Sequence, residues 1–149
     1  MKVRIQNSKW NFRNLAIFSC GVFFLSIYSC VPFWIPADKF SRTYAVDFMS
    51  FHPKLNSALQ DYAKRHEGNS FQIALLGSEA VIIQGLYKGE RYQDRLSTTI
   101  TVKPAGPGRT WMEIKISSND PKVSSEYLRE AARELFQIIE KGTGIPPQE

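Results

Sequence analysis

The alternation of apolar and polar residues between Leu96 and Ile116 constrains this chain more than any other feature. Leu96, Thr98, Ile100 and Val102 alternate with Ser97, Thr99 and Thr101. After the loop 103–109 (KPAGPGR), Thr110, Met112, Ile114 and Ile116 alternate with Trp111, Glu113 and Lys115. A period of two belongs to strands, because successive side chains point to opposite faces. One side of each segment is apolar and the other polar, which predicts a sheet covered on one face and open on the other. Ser97, Thr99, Thr101, Trp111, Glu113 and Lys115 are expected on the open face.

Two further strands precede these. Phe71, Ile73 and Leu75 alternate with Gln72 and Ala74, and residues 80–87 (AVIIQGLY) are rich in strand formers. Gly85 inside the second run marks a bulge or a close approach. The connections are short, which predicts an antiparallel meander. Upstream, Tyr44, Val46 and Phe48 alternate with Ala45 and Asp47 and read as a first short strand.

Two stretches have helical spacing. Pro53 suits a first helical position. Leu55, Ala58, Leu59, Tyr62, Ala63 and His66 then form one stripe, and Gly68 follows as a terminating glycine. Asp120 and Pro121 predict the start of the last helix. Its stripe is Leu128, Ala132, Leu135 and Ile139, widened by Ala131, Phe136 and Ile138, and Gly142 is expected to stop it. The order is β-α-β-β-β-β-α. The expected fold is α+β: a two-layer sandwich with an antiparallel meander sheet and both helices on its apolar face.

The N-terminus sets a different constraint. Leu15 to Cys30 (LAIFSCGVFFLSIYSC) is apolar and uncharged, and Lys2, Arg4, Lys9 and Arg13 precede it. A basic region before a short apolar run is the pattern of an export signal. The positive charges favour the cytoplasmic side, which sends the later chain across the membrane. Two other readings stand beside a lipidated one. Leu15 to Ile35 is long enough to span ~30 Å of hydrocarbon as an uncleaved anchor, with Trp10 and Trp34 at its ends. The segment also suits a cleaved signal in which Cys30 is incidental. The expected organisation is a signal or anchor over 1–30, a linker over 31–43, one domain over 44–142 and a flexible tail over 143–149.

Ile27-Tyr28-Ser29-Cys30 resembles the lipobox of bacterial lipoproteins, in which the Cys is lipidated and becomes the mature N-terminus. Ile27, Ser29 and Cys30 match it, and Tyr28 stands where a small residue is usual. With the order of elements over 44–141, the chain resembles a class of small bacterial lipoproteins with no assigned activity. The resemblance implies an envelope role, with the domain in the periplasm or outside the cell. The arrangement is also similar to a shortened helix-grip fold, which implies a lipid site under the last helix.

Composition narrows the function. The chain has 19 basic and 14 acidic side chains and a net charge of +5. The four basic residues ahead of the apolar run account for most of the excess, so the rest is nearly neutral. A neutral domain lacks the basic patch of a nucleic-acid binder. Both cysteines, Cys20 and Cys30, lie in the N-terminal segment, so the domain has no thiolate metal site or disulfide framework. His52 and His66 have no metal-ligand spacing. No nucleophile elbow, phosphate loop or dinucleotide fingerprint is present, and no cofactor is expected.

The expected function is therefore a membrane-anchored envelope protein with a non-catalytic interaction domain. A carrier of lipid or another apolar ligand, with its site between sheet and helices, is the alternative. A single-span subunit of a larger envelope complex is a further one. Cys30 is the candidate lipidation site. Trp111 is a candidate partner contact, as a large ring on an otherwise polar face. Tyr87, Arg91 and Tyr92, in a charged turn, are the others.

Overall fold

The computed structural model describes residues 37–88 and 95–148. The N-terminal segment with Cys30, and the turn residues Arg91 and Tyr92, lie outside the described residues. The described residues belong to one compact unit.

The unit holds seven elements: β1 (Ala37–Tyr44), α1 (Phe48–Arg65), β2 (Ser70–Leu76), β3 (Val81–Tyr87), β4 (Leu96–Pro104), β5 (Thr110–Ser117) and α2 (Ser125–Thr143). The five strands form one antiparallel sheet in the order β1-β5-β4-β3-β2. The α+β class and the β-α-β-β-β-β-α order are those the periodicity predicts. β2 to β5 form the meander, and β1 returns to pair with β5.

The helix-facing side of the sheet supplies half the core. Val81, Ile83, Leu96, Ile100, Val102, Met112, Ile114 and Ile116 are buried there. Phe51, Leu55, Leu59, Leu128, Leu135, Phe136 and Ile139 meet them from the two helices. The open face carries the residues expected of it: Thr99 lies opposite Lys115, Thr101 opposite Glu113, and Lys103 opposite Trp111. None of these is buried.

The first strand lies earlier than the alternation suggests. β1 occupies Ala37–Tyr44, most of it inside the expected linker, and Phe48 already belongs to α1. Asp47 explains the boundary, because its carboxylate accepts a hydrogen bond from Met49 N–H at 2.9 Å and caps the helix. What hides β1 in the sequence is Arg42, which occupies an inward position between Phe40 and Tyr44. It is tolerated there because its guanidinium pairs with Glu140 of α2 and lies 4.4 Å from the centre of the Phe136 ring. Tyr44 stacks on Phe51 at 4.9 Å and donates to Glu140 at 3.2 Å.

The last helix is also displaced. Asp120 accepts from Lys122 N–H and closes its own turn, while Ser124 caps α2 by accepting from Tyr127 N–H. Gly142 does not stop the helix but lies within it. Gly144, in the left-handed region at φ 69°, is the terminating residue. The tail is tied down: Gln148 N–H donates to the Thr43 carbonyl at 2.8 Å, and Ile145 packs against the core.

Candidate functional site

β2 is the edge strand opposite β1, and its sequence, SFQIALL, carries no charge. Its register places Phe71 opposite Gly85, Ile73 opposite Ile83, and Leu76 opposite Val81. Ile83 and Val81 face the helices, so Phe71, Ile73 and Leu76 share that face. The cover ends partway along the strand. Phe71 is 3% exposed, Ile73 41% and Leu76 63%. The apolar floor of the core thus continues beyond the helix that roofs it. A bulge between Ile73 and Leu75 turns Leu75 to the other face, opposite Ile82.

Phe71 sits where it does because Gly85 has no side chain. A Cβ at Gly85 would stand 2.8 Å from the Phe71 ring and 2.1 Å from the Ser70 carbonyl oxygen. Gly85 is therefore a close approach, one of the two roles expected for it. The connection from α1 is fixed by Asn69, whose side chain accepts from Lys88 N–H at 2.8 Å and donates to the Lys88 and His66 carbonyls. His66 stacks on Tyr62 at 4.1 Å.

Between α1 and β2 lies an open groove of about 640 Å³, with Asn56, Gln60, Ala63, Lys64, Phe71 and Ile73 among its lining. Gln60 bridges it at one point, donating from Nε2 to the Phe71 carbonyl at 2.7 Å. Asn56 stands one helical turn before Gln60. Its Oδ1 is buried with no hydrogen-bond partner among the described residues. An unsatisfied buried acceptor costs about 1–3 kcal/mol, so a group that supplies a donor there is favoured. Lys64 stands at the rim, with Asp61 3.7 Å away and both side chains largely exposed. Such a pair is weak.

Two buried tyrosines border the core elsewhere. Tyr44 is held well above the usual phenol range, first by burial and then by the charge and hydrogen bond of Glu140. Tyr87 is raised further still by burial, then by Glu134 and Tyr62. This corrects the expectation for Tyr87: it is fully buried and belongs to the core, not to an exposed tip. Its parity with Val81 and Ile83 along β3 explains the placement. Trp111 is on the open face, half-buried between Thr43 of β1 and Lys103 of β4. The structure does not bring Trp111 and the α1–β2 groove together, since they lie on opposite faces of the sheet.

The groove itself escapes sequence reading, because it depends on where α1 stops covering β2. The only local signal is the uncharged run ALL at 74–76, where alternation fails. Among the described residues no cluster of His, Cys, Asp and Glu is placed to hold a metal ion, and no helix is long and apolar enough to cross a membrane.

No family model and no curated protein matches the chain. Solved structures of distant likeness include an HSP90 activator from Plasmodium falciparum, 11% identical, with 75% of this chain and 99% of that one covered and a TM-score of 0.44. A protein from Rhizobium loti is 14% identical, with 72% and 96% covered and a TM-score of 0.45. A START superfamily protein from Mycobacterium smegmatis is 10% identical, with 71% and 92% covered and a TM-score of 0.35. Likenesses of this depth carry no information about activity.

Proposed function

We propose that this domain is a non-catalytic binding module whose site is the groove between α1 and β2, and that its ligand is apolar. The observation that carries the reading is the uncovered continuation of the core face from Phe71 through Ile73 to Leu76. Covering a half-exposed Ile or Leu releases roughly 1 kcal/mol or more, the burial term for such side chains. The polar lining consists of amides, the Ser70 hydroxyl and one ammonium, groups suited to orienting a ligand. This site between sheet and helix is the carrier alternative in a more open form.

The N-terminal pattern supports a setting for this activity: export across a membrane, with Cys30 as the point of lipid attachment, and a domain held near the bilayer. A partner at the open face around Trp111 remains a separate expectation.

The test is site mapping with a small photoactivatable apolar probe, a phenyl diazirine, on the full chain in its membrane. Labelling should concentrate on Ala63, Ile73 and Leu76. Equal labelling of all exposed apolar side chains, Met49 and Leu86 included, would remove the groove as a site.

A further inference from the structure

We infer that the groove takes an extended segment of another protein chain, which adds as a sixth strand to the edge of β2 that no other described strand pairs with. This rests on the binding reading above and names its ligand.

The main chain of β2 gives the first argument. In an antiparallel strand, the N–H and C=O of one residue point to the same side, and successive residues alternate. The Phe71 carbonyl accepts from Gln60 and therefore points away from β3. Consistently, the Gly85 carbonyl opposite Phe71 accepts from Thr98 of β4 and points away from β2. The alternation then directs the N–H and C=O of Ile73 to the free edge. At the hairpin end, Gly77 N–H donates to the Ala80 carbonyl, which makes that pair the bonded one. Leu76, one residue earlier, accordingly turns its groups outward too. Ile73 and Leu76 thus offer main-chain donors and acceptors on the same strand that leaves their side chains uncovered. Gln60 acts at Phe71 as a one-residue substitute for the missing strand.

The second argument is the buried Asn56 Oδ1, without a hydrogen-bond partner among the described residues, on a side chain that lines the same groove as Ile73. A hydrocarbon offers it nothing, whereas a peptide offers an N–H. The third is charge. β1, the other edge, carries Lys39 and Arg42, and its Thr43 carbonyl is occupied by Gln148 N–H. Such features blunt an edge, and β2 has no charged side chain to blunt it. Among the described residues, the one cation in the groove lining is Lys64 at the rim. The fitting partner is an uncharged apolar strand with a carboxylate at the end that meets Lys64. Strand addition takes its affinity from the main chain and its specificity from alternate side chains.

The probe is a short synthetic peptide alternating valine and threonine and ending in aspartate, added to the full chain in lipid nanodiscs. Hydrogen exchange is read at individual amides. At a peptide concentration about tenfold above its dissociation constant, exchange at Ile73 and Leu76 should slow roughly tenfold. Ile73→Asp and Leu76→Asp, both at exposed positions, should each abolish the effect, and the same peptide N-methylated at alternate residues should be inert. If the phenyl diazirine labels the groove while the peptide leaves both amides unchanged, the strand inference fails and the apolar site stands. If neither engages the groove, both fail. Protection of the same amides by self-association alone, rising with protein concentration, would assign the edge to a second copy and overturn the inference.

Discussion

Gly142 of α2 lies so close to Ala58 of α1 that a Cβ placed on it would stand 2.6 Å from the Ala58 Cβ. The two helices meet at this point backbone to methyl, over a sheet that both must cover. Two opposing effects bear on Gly142→Ala. Replacing a helical glycine gains about 1 kcal/mol of propensity, while overpacking a close contact costs about 1–3 kcal/mol. No flexible side-chain end is available to yield, since the obstacle is a Cβ. The expected result is a net loss of stability, read as a lower urea midpoint. Gly142→Ala combined with Ala58→Gly should recover most of it, and a double mutant as weak as the single would show that the helices are not held by this contact.

Alkaline pH should unfold the protein through its tyrosines. Tyr44 and Tyr87 keep their protons in the folded state above the pH at which a free phenol loses them. The unfolded chain releases both near pH ~10. Their contribution is therefore complete below that pH and declines as pH rises through it. Each tyrosine adds a slope of about 1.4 kcal/mol per pH unit. Urea midpoints measured from pH ~9 to ~11 should fall steeply, and Tyr44→Phe or Tyr87→Phe should remove about one proton's worth of slope each. A midpoint that stays flat across that range would contradict the buried placement of both hydroxyls.

Trp111→Ala should leave folding nearly intact, because the ring stands on the open face with small and charged neighbours. If that face meets a partner, association should weaken by ~2 kcal/mol or more, the scale of an aromatic hot spot. Cross-linking of wild type and mutant in membranes reads it. A mutant that unfolds would instead make the ring a structural cover for Thr43 and Lys103.

Cys30→Ser should abolish incorporation of a labelled fatty-acid analogue and release or misprocess the protein. A mutant that keeps both its label and its membrane fraction would favour the spanning segment over lipid attachment.

The elements that sequence reading recovers are those with a clean period. β4 and β5 show their two faces residue by residue, and Leu128, Leu135 and Ile139 are buried along α2 at the positions their spacing predicts. The failures have physical causes of one kind. Arg42 breaks the apolar parity of β1, and its partners Glu140 and Phe136 come from the far end of the chain. Asp120 looks like a helix cap but is committed to a turn of its own. Tyr87 sits beside a charged turn, which outweighed its parity with Ile83. The groove is the clearest case: Asn56 and Gln60 are ordinary surface residues of a helix until β2 is laid beside them. Local propensity is visible in a single sequence, whereas the consequences of long-range contact are not.

The position of β1 bears on how the protein is made. A chain synthesised from its N-terminus produces this strand first, yet its partner β5 begins at Thr110, and Arg42 and Glu140 are separated by 98 positions. Contacts at such separation form late, because the loop between them must first be closed. The earliest described strand thus has no partner until β5 has been made. Until α2 emerges, the helix-facing side of β3, β4 and β5 lacks half its cover, and the nascent domain cannot close on itself. Closure of the core therefore waits on α2, the last of the described elements to be made.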